Sequence, residues 1–132
     1  MRESYAHKAE TCIFCNLPEG RVIAENRLAV AIRDGFPVTP MHSLVIHKRH
    51  VATYFDLSRS EFNACDSLIK EQRAEIIGAD IEVAGFNIGM NAGEVAGQTV
   101  FHCHIHLIPR RRVDVESPRG GVRHLIPGKG HY

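Results

Sequence analysis

A chain of 132 residues has room for one domain built on a single core. Its 44% hydrophobic and 23% charged residues are the ordinary balance of a globular protein, and no apolar run reaches the length of a membrane span. A net charge of +1 supplies no whole-molecule field to hold nucleic acid or an anionic membrane. The N-terminus lacks the apolar stretch of a signal peptide, so a cytoplasmic location is expected.

Residues 1–10 are polar and are expected to be a flexible N-terminus. Cys12-Ile13-Phe14-Cys15 follows. In a chain without an export signal, such a pair reads as a metal or redox site rather than a structural disulfide. Residues 21–25 and 28–33 are short β-branched-rich runs around Asn26-Arg27, which predicts a hairpin. Residues 34–41 hold a glycine and two prolines and are read as a loop, and 43–47 are apolar enough for a central strand.

Ser58-Arg59-Ser60-Glu61 has the pattern of a capping box. Phe62, Cys65, Leu68, Ile69 and Ile76 then fall on one helical face, and Gly78 is expected to stop the helix. Residues 86–90 and 101–108 predict a fourth and a fifth strand, joined by the glycine-punctuated stretch 91–98. Five strands and one long helix predict an α+β fold with a mainly antiparallel sheet. Beyond Pro109 the pattern fades. The tail carries Arg110, Arg111, Arg112, Arg119, Arg123 and Lys129 against Asp114 and Glu116, and reads as an extended or disordered arm, either solvated or touching an anion.

Nine histidines are the compositional anomaly, and they cluster: His42, His47 and His50 in one group, His102, His104 and His106 in another. On a strand the last three share one face, while Cys103, Ile105 and Leu107 face the core. Neighbouring rings on an ideal strand stand roughly 7 Å apart, too far to touch but close enough to line one cleft. Imidazole titrates near neutrality and serves as nucleophile, proton carrier or metal ligand. Nucleotidyl transfer needs an unprotonated nitrogen aimed at phosphorus and donors for the phosphate oxygens. Three ligands to one catalytic metal is the competing chemistry. Cys65 and Cys103 fall on apolar faces and read as inert.

The run Gly97-Gln98-Thr99-Val100-Phe101-His102-Cys103-His104-Ile105-His106 resembles the signature of the histidine triad family. Further matches precede it in order: the Cys12–Cys15 pair, Asp34 after an apolar strand, His42-x-Leu44-Val45-Ile46, His50, and Asn91-x-Gly93. The resemblance covers residues 11–112, leaving 113–132 as a basic C-terminal tail. It implies a HIT-like fold, with one long helix and a short helical turn beside the five-stranded sheet.

It also implies a nucleotide hydrolase whose catalytic group is His42, His102, His104 and His106, with His104 forming a covalent nucleotidyl intermediate. His106 and Thr99 would hold the α-phosphate, Asn91 and Gln98 would belong to the loop lining the phosphate and leaving-group side, and Asp34 would accept from the ribose hydroxyls. Phe14, Leu17 and Ile32 are expected beside the base. A structural zinc is expected on Cys12, Cys15, His50 and His102, although His47, at a place where the family usually has proline, offers a competing ligand. Such domains pair as homodimers. Pro109-Arg110 and the run Arg119–Arg123 resemble the dinucleoside polyphosphate branch, since long polyphosphates need several cations. A phosphoramidate hydrolase of the same family and a non-catalytic nucleotide-binding protein are the alternatives.

Overall fold

Asn26 shapes the first hairpin: its Oδ1 accepts from the amides of Leu28 and Ala29 (3.1 and 2.9 Å), and its Nδ2 donates to the Ala64 carbonyl (2.9 Å). An Asx side chain bonding its own backbone two and three residues on is the usual reason such a residue sits in a turn. In the computed structural model, which describes residues 9–131, this turn joins β1 (Val22–Glu25) to β2 (Ala29–Arg33). Most of the N-terminus expected to be flexible lies outside the described residues. The remaining elements are β3 (Ser43–His47), α1 (Arg59–Ala79), β4 (Val83–Gly89) and β5 (His104–Arg111), with 3₁₀ turns at Tyr54–Asp56, Glu94–Ala96 and Gly121–Leu125.

The strands form one sheet in the order β1-β2-β3-β5-β4, and every pair is antiparallel. The fold is thus the expected α+β, with three helical turns where one was expected. α1 covers one face of the sheet. Cys65 and Leu68 pack there with Ala29, Ala31, Val45 and Ile105, and Ile76 packs with Val83 and Leu107. On the other face Val30, Ile32, Leu44 and Ile46 form a second cluster, against which Phe14 and Leu17 of the N-terminal segment pack. No described helix is long and apolar enough to cross a membrane.

The capping box of α1 is formed as its sequence predicts, Ser58 Oγ accepting from the Glu61 amide (3.1 Å) and Glu61 Oε1 from the Ser58 amide (2.9 Å). The stop lies elsewhere. Gly78 is an ordinary helical residue, and the helix ends at Ala79, after which Asp80 turns extended while its amide still bonds the Ile76 carbonyl. The Asp80 carboxylate accepts from the Glu82 amide at 2.9 Å and from Arg111 at 2.9 Å, so a local Asx turn and a long-range ion pair, rather than a left-handed glycine, stand at this end of the helix.

β5 is also displaced from its expected range. It runs from His104 to Arg111, because residues 101–103 bend away and the Cys103 amide bonds the Val51 carbonyl (2.9 Å) instead of a strand partner. Within the strand the alternation holds: Ile105 and Leu107 are buried towards α1, and His104 and His106 are half-buried on the opposite face. Their ring centroids lie 5.3 Å apart in edge contact, closer than the ideal spacing. The tail is neither extended nor wholly solvated: it folds into the last 3₁₀ turn, and Arg110 binds Asp114 through Nε–Oδ2 (2.7 Å) and Nη2–Oδ1 (2.8 Å).

Candidate functional site

Four histidines have their protons placed by their neighbours. A neutral imidazole carries one N–H, so a bond to a group that only accepts, or only donates, fixes the tautomer. His104 Nδ1 lies 2.8 Å from the main-chain carbonyl of His102, to which it must donate. Its Nε2 therefore keeps the lone pair. His102 Nε2 lies 2.7 Å from the His47 carbonyl and donates to it, leaving Nδ1 as the free base.

The other pair is ordered from the loop before β3. The Val38 amide donates to His42 Nδ1 at 3.1 Å, so His42 carries its proton on Nε2. That nitrogen faces His106 Nδ1 at 2.9 Å and donates to it, which leaves the His106 proton on Nε2. Asp34 Oδ2 lies 3.4 Å from His42 Nε2 and 4.0 Å from His106 Nδ1. Burial holds His42 below its usual range against the pull of Asp34. His106 is pushed down to about 4, by burial first and then by His104 and His42, with Asp34 opposing. Both rings are neutral at pH 7.

His104 and His106 open into a cavity of about 760 Å³, ample for a nucleotide. Asp34, Asn91, Thr99, Phe14 and Leu17 line it. Phe14 meets the His104 ring edge-on at 4.9 Å. Other expected residues stand back from it. Ile32 is fully buried in the sheet cluster behind Phe14 and Leu17, so it supports the wall without forming it. Gln98 is 3% exposed, and its amide is spent on the chain: Oε1 accepts from the Gly93 amide (2.9 Å), and Nε2 donates to the carbonyls of Ala52 (2.7 Å) and Val100 (3.1 Å). It braces the loop that presents Asn91 and Thr99. Ile13, Arg21, Phe36 and Leu44 line the cavity too and were not anticipated. For Ile13 a signal existed, since it sits between the two cysteines of a segment already expected at the site.

The second cluster lies behind the first. Cys12 Sγ is 3.3 Å and Cys15 Sγ 3.5 Å from His102 Nδ1, and Cys15 Sγ is 3.3 Å from His50 Nδ1. The four ligand atoms all lie within 4.8 Å of one another. A tetrahedral zinc with bonds of about 2.0–2.3 Å has ligand–ligand edges of roughly 3.3–3.8 Å, so this donor set fits zinc in both chemistry and size. The His102 tautomer fits as well, because its protonated nitrogen is on the side away from the sulfurs. His47 is outside the group. Its ring packs against His102 at 5.0 Å, and burial, with His102 next, pushes its pKa down to about 4.

Asp34, His42 and His106 form the other compact donor group among the described residues. It suits a metal poorly: coordination at His42 Nε2 would shift the proton to Nδ1, where it would meet the Val38 N–H. Nor do the three histidines of residues 102–106 converge on one point, since His102 Nδ1 faces the sulfurs and His106 Nδ1 faces His42.

Residues 18–113 match the HIT domain. A HIT-like protein of Mycoplasma genitalium is 38% identical over 104 residues, covering 76% of this chain and 73% of that one. The crystal structure of a Zn-bound histidine triad family protein from Mycobacterium smegmatis superposes with a TM-score of 0.73 at 31% identity, covering 81% of this chain and 80% of that one. A bis(5'-nucleosyl)-tetraphosphatase (asymmetrical) from Schizosaccharomyces pombe is 34% identical over 102 residues, which span 76% of this chain and 56% of that protein. The domain match covers most of the sequence and includes all three histidines of residues 102–106, so the chain belongs to the histidine triad (HIT) family.

Proposed function

We propose that the protein is a nucleotide hydrolase that works through a covalent nucleotidyl-His104. The observation that carries this reading is the His104–His102 bond, which leaves an unprotonated Nε2 at the mouth of the cavity beside a neutral His106. In the first half-reaction His104 Nε2 forms a bond to the α-phosphorus while the bond to the leaving group breaks, the leaving group departing with the electron pair. In the second, water attacks the same phosphorus, the P–N bond breaks with its electron pair returning to Nε2, and the proton lost by the water passes to solvent. This releases a nucleoside monophosphate and restores the imidazole.

The His106 Nε2–H and the Thr99 hydroxyl donate to the phosphate oxygens, where charge builds up in the transition state. Asp34 accepts from the ribose hydroxyls, Asn91 faces the leaving-group side, and the base lies against Phe14 and Leu17. His42 acts through His106, as its positioning partner. Cys12, Cys15, His50 and His102 would hold a structural zinc, which when bound supplies a cross-link rather than a reacting atom. We also take the molecule to be a cytoplasmic homodimer paired through β4 and α1: β4 is a sheet edge with Ile88 exposed, and α1 exposes Ile77.

Dinucleoside polyphosphates are the substrates suggested by the basic tail and by the name of the S. pombe relative. One observation favours a second reading, a substrate with a compact leaving group such as a phosphoramidate. Arg110 is occupied by Asp114 and Asn87, and Arg111 by Asp80, so the first cations of the tail are engaged within the fold.

Replacing His104 with Ala should abolish turnover and leave nucleotide binding nearly intact. Acid-quenched wild-type enzyme should carry a nucleotidyl adduct on His104 by mass spectrometry. Unchanged turnover in His104→Ala would remove the proposal. Rates on a diadenosine polyphosphate and an adenosine phosphoramidate decide between the two substrate readings.

A further inference from the structure

Residues 9–21 contain no helix or strand, yet they supply one side of the cavity through Thr11, Ile13, Phe14 and Leu17. Much of their hydrogen bonding is internal: Asn16 Nδ2 donates to the carbonyls of Ala9, Glu10 and Cys12. Three features tie the segment to the domain. Phe14 and Leu17 pack on the sheet, Arg21 Nη2 donates to the Arg33 carbonyl (3.1 Å), and Cys12 and Cys15 meet His50 and His102. Ile13 and Phe14 lie between the two cysteines in sequence. Their backbone is therefore held at both ends by the four-ligand cluster.

We propose that this cluster positions the nucleoside-binding wall, so that metal binding and nucleotide binding reinforce each other. The inference rests on the nucleotide reading of the cavity. A segment without regular structure keeps a fixed surface only if something offsets the entropy of ordering it. A metal closing Cys12 and Cys15 onto His50 and His102 removes most of that freedom before the nucleotide arrives. The Phe14 ring is then already set at 4.9 Å from His104. Conversely, a base seated against Phe14 holds the segment in the geometry that brings the sulfurs to the imidazoles. By linkage the two effects are equal in size.

The test measures both directions on the full chain. AMP and GMP affinities are determined by calorimetry for zinc-loaded and zinc-stripped protein, and zinc affinity by competition with a chromophoric chelator, with and without saturating nucleotide. Zinc should raise nucleotide affinity by about five-fold or more, and nucleotide should raise zinc affinity by the same factor. Phe14→Ala also loses packing on the sheet and so weakens zinc binding without nucleotide, but the enhancement of zinc affinity by saturating nucleotide should disappear.

Equal nucleotide affinity of the two forms overturns the proposal, as does full coupling in Phe14→Ala. Far-UV circular dichroism shows whether the stripped protein keeps its sheet and helix. Complete unfolding also overturns the proposal, since the linkage then belongs to the whole fold. Failure of both nucleotides to bind the zinc-loaded protein overturns the nucleotide reading itself, a result distinguishable from binding without coupling.

Discussion

Arg49 and Glu61 form a doubly hydrogen-bonded ion pair, Nε to Oε2 at 2.9 Å and Nη2 to Oε1 at 2.8 Å, with side chains only 5% and 1% exposed. Glu61 also closes the capping box of α1, and Arg49 Nη2 reaches the Asp56 carbonyl (3.0 Å). The residue before His50 is thereby fastened to the start of the long helix. Removing one partner strands a buried charge. Glu61→Ala should cost about 3 kcal/mol or more of folding stability by chemical denaturation, and a loss below about 1 kcal/mol would show that water replaces the carboxylate.

Val38 and His42 set the proton on His106, so the order of tautomers is open to direct measurement. ¹⁵N spectra of the imidazoles should show His42 and His106 protonated at Nε2 and His104 at Nδ1. His42→Ala removes the donor to His106 and should slow turnover by about a hundred-fold, the scale of losing one oriented donor to the transition-state charge. His42→Asn keeps one acceptor for the Val38 amide and one donor for His106, and should recover part of that loss. Equal rates for the two variants would reduce His42 to a packing residue.

His106 titrates well below an ordinary histidine, with a midpoint expected near 4. The unfolded chain has the ordinary value of about 6.5, so it takes up the proton first. The contribution of His106 to stability is therefore complete above that value and drains away as pH falls towards 4. Protonation also places an N–H on Nδ1, facing the His42 donor. An NMR titration of the His106 ring checks this, and a midpoint near 6.5 would contradict it.

Arg110 and Arg111 are bound within the fold by Asp114 and Asp80. Arg110→Ala and Arg111→Ala should each leave the ratio of rates on a dinucleoside polyphosphate and a phosphoramidate within about two-fold. A selective loss of ten-fold or more on the polyphosphate, about 1.4 kcal/mol of transition-state binding, would return the tail to the substrate.

Local signals carried the architecture in the sequence. The capping box at Ser58, the Asn26 turn and the alternation of Ile105 and Leu107 with His104 and His106 are all set by neighbours within a few residues, and each is found in the structure. What could not be read depends on distant partners. The bend before His104 goes with a bond to Val51, the ion pair beside the end of α1 with Arg111, and the retreat of Gln98 with three main-chain groups that converge on its amide. The residues of the site were named by their motif. The zinc-fitting subset was likewise expected from the resemblance, but the placement of the ring protons needed coordinates, because it turns on which ring nitrogen faces which atom.

β5 sets Ile105 and Leu107 against the helix and His104 and His106 against the cavity with the same run of backbone. A one-residue slip of this strand would turn the imidazoles inward and the aliphatic side chains out to solvent. Packing thus acts as a proofreader of the chemistry. A chain that pairs β5 out of frame loses its core before it can present a misaligned nucleophile, so misfolded molecules are inactive rather than indiscriminate.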